Sequence, residues 1–162
     1  MIMKRSLLAV VTLLVAGFLV SANAQPQKPR AAAGNAAPLV QQPLYSDYKG
    51  VRLGMTPEEV RAKLGTPVLK DEELDYFVFA DNVTSAQVAY DSAHKAKIIS
   101  VDFAGGVDAP DYRTVVGPEL NTRPDGSVFK LVRYEALGFW VSYNRTAGPV
   151  TIVTITIQKI QP

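Results

Sequence analysis

The chain has 162 residues, with 17 Lys+Arg against 15 Asp+Glu, a single histidine (His94) and no cysteine. No disulfide can form, and neither a histidine-rich metal site nor a cysteine nucleophile is available. Removing residues 1–24 would delete Lys4 and Arg5 and no acid, leaving 15 charges of each sign. A chain balanced in that way has no basic excess to draw nucleic acid.

The first 24 residues read as a secretory signal. Lys4 and Arg5 form a positive start, Leu7 to Val20 an apolar run, and Ala22-Asn23-Ala24 a small-residue cleavage site before Gln25. That run is shorter than the roughly 20 residues a membrane-spanning helix needs, so the mature chain is expected to have no transmembrane segment. Residues 25–44 hold four prolines among alanines and glutamines, with no aromatic residue. They are expected to be a disordered tether, because they offer too little apolar surface to offset chain entropy. The folded part is then expected as two pieces, residues 45–106 and a second, diverged β-rich unit over residues 107–162 packed with the first.

The helix signals come first in the folded part. Thr56 suits an N-cap, Pro57 the first helical position, and Glu59 the third, where it completes a capping box with Thr56. Met55 and Val60 are spaced as a hydrophobic staple. Val60 and Leu64 lie one turn apart on what should be the buried side, and Glu59 and Lys63 are spaced to pair on the exposed side. Gly65 suits a left-handed residue just past the end, and Pro67 forbids continuation. The spacing predicts a helix over residues 57–64.

Strand patterns follow at residues 74–79, 86–90 and 97–103, with Asp91 to Lys95 as a turn between the last two. Ile99, Val101 and Phe103 alternate with Ser100 and Asp102. Gly105-Gly106 and Pro110 mark a break. A short helix or turn is expected over residues 110–117, turn chemistry over 121–126, then strands at 128–135, 139–144 and 150–159. Val153, Ile155 and Ile157 alternate with Thr154, Thr156 and Gln158. The expected fold is α+β, with short helices on antiparallel sheet; two tandem α-β-β-β units are one arrangement of it.

The run from Leu53 to Pro67, with Gly54-Met55-Thr56, Pro57, Glu59, Val60, Leu64-Gly65 and Pro67 as its fixed points, resembles the signature of the SmpA/OmlA/BamE family. These are small lipoproteins of outer-membrane assembly within the β-lactamase-inhibitor-protein-like fold. The likeness extends through Tyr90-Asp91 and Ile98-Ile99 and fades beyond residue 103. It implies an accessory role in inserting β-barrel proteins, or, by analogy with the inhibitor protein, a tandem pair of units gripping an enzyme. The chain departs from the assembly factor in having no lipid-attachment cysteine and in carrying a second half.

Few residues suggest chemistry. Asp91 and Asp102 could in principle face one another, but nothing around them suggests the pocket that a two-carboxylate mechanism needs. Gly105-Gly106 lacks the spacing of a phosphate loop. The chain is therefore expected to be a non-catalytic binder without metal or cofactor, acting on a protein partner in the cell envelope, periplasmic or secreted, with peripheral membrane contact left open. A secreted enzyme inhibitor is the alternative, and a small hydrolase is less favoured. Trp140, alternating with Phe139, Val141 and Tyr143 onto the side of Ser142 and Asn144, and Phe77, on the side of Glu73 and Asp75, are the candidate partner-binding residues.

Overall fold

A computed structural model describes residues 41–161 of the chain; the expected signal and its cleavage point, and the tether up to residue 40, lie outside the described residues. Helix α1 runs Pro57–Leu64 and begins as the spacing predicts. The Glu59 N–H donates to Thr56 Oγ1 at 3.3 Å, and the Thr56 N–H donates to Glu59 Oε2 at 2.8 Å. With its carboxylate so engaged, Glu59 makes no ion pair with Lys63; Arg61 instead reaches Glu58 at 3.9 Å. Val60 is fully buried, and Met55 and Leu64 pack against the same core.

Two glycines of the motif have backbone reasons. Gly54, at φ +85°, donates its N–H to the Ala96 carbonyl at 2.8 Å, and the Ala96 N–H returns to Met55 O at 2.8 Å. This exchange fastens the helix entry to the sheet. Gly65, at φ +91° and ψ −153°, is not the left-handed helical residue expected from the sequence; it lies in the mirror image of extended backbone, with its N–H still bonded to Arg61 O. Either conformation favours glycine.

The strands are β1 (Leu69–Lys70), β2 (Leu74–Val78), β3 (Thr84–Tyr90), β4 (Ala96–Ala104), β5 (Asn121–Thr122), β6 (Val128–Tyr134), β7 (Phe139–Arg145) and β8 (Ile152–Lys159), with α2 (Tyr112–Val116) between β4 and β5. They form one antiparallel sheet in the order β1-β2-β3-β4-β8-β7-β6-β5. The fold is α+β. Each helix is followed by four strands rather than the three expected, because the two-residue strands β1 and β5 are too short to show a period and β5 begins the stretch that read as a turn. The last strands, β4 and β8, pair along Ile98–Ala104 and join the two sets edge to edge.

The core lies against one face of this sheet. Phe77, Val88, Ile99, Val101, Phe103, Val141, Val153, Ile155 and Ile157 meet Val60 of α1, Val115 and Val116 of α2, and the turn from Tyr48 to Val51. The alternations at residues 99–103 and 153–158 therefore point as the sequence indicates.

Replacing Gly65 with valine tests the role of the motif. An added Cβ would meet no atom within 4 Å, so backbone strain sets the main cost, on the order of 1–3 kcal/mol. Urea denaturation should show that loss while partner binding by the folded fraction stays unchanged. A fully stable variant that has lost binding would contradict a structural role.

Candidate partner-binding face

The register fixes which side chains share the other face. Leu74, Ala89, Ile98, Gln158, Trp140 and Arg133 form one row across the paired strands. Tyr76, Gln87, Ser100, Thr156, Ser142 and Leu131 form the next, followed by Val78, Ser85, Asp102, Thr154, Asn144 and Phe129. Both helices contribute to the core on the opposite face, and none of these residues belongs to that core. Among the described residues, no helix covers this face.

The face is polar at its centre and aromatic toward its sides. Ser100 and Thr156 share a hydrogen bond of 3.1 Å between their hydroxyls, and Thr154 Oγ1 donates to Asp102 Oδ1 at 2.6 Å. Trp140, Tyr76 and Phe129 are half-buried, so each ring presents part of its surface. Asp102 and Arg133 are the only charged side chains in the three rows, and Arg133 is paired with Glu135 at 2.6 Å. A concavity of about 500 Å³ includes Tyr76, Val78, Ser85, Asp102 and Thr154. A second, of about 540 Å³, lies at the end of the sheet between Leu53, Leu137, Phe139 and Ile160.

Trp140 stands where the alternation puts it. Phe77 does not serve as its companion: it is 1% exposed and sits in the core, on the opposite face from Trp140. The side it shares with Asp75 looked polar in sequence, but Asp75 is itself 0% exposed. Arg61 of α1 grips that carboxylate with both arms, Nε to Oδ2 at 2.8 Å and Nη2 to Oδ1 at 2.9 Å. The Tyr90 hydroxyl donates to Oδ2 at 2.8 Å. Both carboxylate oxygens are thus occupied, and the cluster holds the helix to the sheet rather than offering a free acid or base. Sequence reading missed it; Arg61 on the helix and an acid inside an aromatic strand were its only signals.

The other polar candidates separate in space. Asp91 accepts the Ala93 and Lys95 N–H groups at 3.0 Å each and reaches Lys159 at 3.5 Å. These bonds hold its carboxyl below the usual range, the backbone bond from Lys95 most of all. Asp102 lies on the open face near the far end of β4. His94 is exposed in its turn, at φ +52°. No three His, Cys, Asp or Glu side chains among the described residues gather closely enough to hold a metal ion. No described helix is long and apolar enough to cross a membrane.

No protein-family model and no curated protein matches the chain. Among solved structures it is similar to a DUF4309 family protein (YjgB) from Bacillus subtilis subsp. subtilis str. 168, with 14% identity, 75% of this chain and 86% of that chain covered, and a TM-score of 0.40.

The buried phenols give a pH signature. Burial chiefly, and then the bond to Asp75, pushes Tyr90 above its ordinary value; burial pushes Tyr45 and Tyr48 up to about 12. The folded chain keeps these protons where the unfolded chain loses them near 10, so their contribution is whole below pH 10 and is lost as pH rises toward 12. The urea midpoint should hold between pH 8 and 9 and fall from pH 10 upward, less steeply in Tyr90→Phe. A midpoint equal at pH 8 and pH 11 would contradict this.

Proposed function

We propose that this is an exported, non-catalytic protein-binding module of the bacterial cell envelope, acting through the open face of its sheet. One observation carries the reading: one face of the sheet is closed by both helices, while the other presents Trp140, Tyr76 and Phe129 among Ser, Thr, Asn and Gln. That mixture matches surfaces that bind proteins, where rigid aromatic rings supply contact area and short polar side chains adapt their hydrogen bonds. A face with so few charges is unsuited to tracking phosphates.

The helix motif supports a place beside the outer-membrane assembly accessory proteins that it resembles, and the apolar run at residues 7–20 supports export. A second reading, a secreted binder of a soluble enzyme, draws on the repeated helix-and-four-strand order, which makes one broad continuous face from two sets of strands. Under both readings the aromatic rings of the open face anchor the partner.

Affinity capture from envelope extract with the full chain tests this. Wild type should retain β-barrel assembly components, and Trp140→Ala should weaken retention roughly tenfold or more, as loss of an aromatic anchor does. Its urea midpoint should change little, because Trp140 lies outside the core. Recovery of one soluble enzyme would favour the second reading. Capture of nothing, together with turnover of a small molecule, would overturn the binding reading.

A further inference from the structure

β6 is the next-to-last strand, and its outer neighbour covers only its beginning. β5 pairs Thr122 with Val128 and Asn121 with Phe129, whereas β7 follows β6 from Val128 to Tyr134. Backbone groups along an antiparallel strand alternate between its two edges. The Ser127 carbonyl accepts from the Arg123 N–H at 2.8 Å on the outer side, and the Gly138 carbonyl accepts from the Ile160 N–H on the side of β8. Counting from either point, Lys130, Val132 and Tyr134 bond to β7, and the N–H and C=O groups of Leu131 and Arg133 point outward. No described residue hydrogen-bonds to them. At the opposite end of the sheet, the Tyr76 carbonyl is taken by the Val68 N–H, which leaves only Val78 of β2 turned outward beyond β1.

The side chains along this edge select what could pair with it. Lys130 makes no ion pair among the described residues, and Arg133 reaches only the exposed Glu135 on its own chain, a surface pair of little strength. Leu131, 37% exposed, and Val132 lie between them. Charged side chains on a strand edge guard it against indiscriminate pairing. These two cations suit an incoming strand with acids at those positions.

We infer that the edge of β6 over residues 130–134 receives an extended segment of the protein partner as an added strand, with acidic residues opposite Lys130 and Arg133 and apolar residues opposite Leu131 and Val132. This rests on the protein-binding reading and adds the chemistry of the partner to it. Backbone bonds to Leu131 and Arg133 supply attachment, and the side-chain pairs supply selectivity. The added strand would extend the open face beside Arg133, which pairs with Trp140 across β6 and β7.

The test is amide NMR of the full chain titrated with the capped peptide acetyl-TEVVET-amide, with acetyl-TKVVKT-amide as charge-reversed control. The Leu131 and Arg133 amides should shift and slow their hydrogen exchange with saturation, while those of Lys130 and Val132, already bonded to β7, keep theirs. The lysine peptide should bind about tenfold more weakly. Leu131→Pro removes an outward donor without touching the β7 ladder and should abolish binding with the far-ultraviolet spectrum intact. Arg133→Glu should shift preference toward the lysine peptide, whether or not the proline variant folds. No saturable change at Leu131 and Arg133 with millimolar peptide, or equal binding of the two peptides, would overturn the inference. Shifts confined to Tyr76, Ser142 and Trp140 would also overturn it while leaving the open-face reading standing; that reading fails separately, in the capture experiment.

Discussion

The ion pair between Arg61 and Asp75 decides which side of β2 faces the core. β2 carries apolar residues on both of its faces: Leu74, Tyr76 and Val78 on one, Phe77 beside Asp75 on the other. Slipping such a strand by one residue exchanges the two sets, and burial of apolar area alone would favour placing the larger set inside. The opposite arrangement is observed. Removing the Asp75 carboxylate from water costs several kcal/mol, and that cost is offset only if both oxygens find partners. The guanidinium of Arg61, 21% exposed, and the buried Tyr90 hydroxyl provide them. Helix, strand and register are thereby fixed together, and Tyr76 is left on the outside.

That constraint explains what was legible in the sequence and what was not. The capping box at Thr56 and Glu59 is a local device, complete within four residues, so the spacing alone located α1. The strands β4 and β8 alternate cleanly between β-branched or aromatic residues and short polar ones, so their faces could be read directly. β2 gave no such choice. Its acid looked like a solvent marker, and Phe77 beside it looked like a candidate for partner binding; the compensating arginine lies 14 residues away on another element. The short strands β1 and β5 escaped notice for a different reason. Two residues give no period, and the turn residues around Asn121 pointed the other way.

The binding face follows from the same division. Once both helices and the turn from Tyr48 to Val51 close one side, the remaining side is continuous across β4 and β8, which pair at the centre. The hydroxyls of Ser100, Thr154 and Thr156 bond to one another or to Asp102, which holds them in place and leaves one O–H, from Ser100 or Thr156, and their acceptor oxygens for a partner. Trp140 is the part of this face that sequence reading located, because β7 alternates strictly. Tyr76 and Phe129 join it only through the register of strands on either side.

Hydroxyl-radical footprinting of the full folded chain, read residue by residue, tests the assignment of faces most directly. The account predicts that Tyr76 and Trp140 are oxidised readily while Phe77 and Tyr90 are protected until the protein unfolds. Rapid oxidation of Phe77 with protection of Tyr76 would mean that β2 presents its other side, and the account of the fold and of its open face would be wrong.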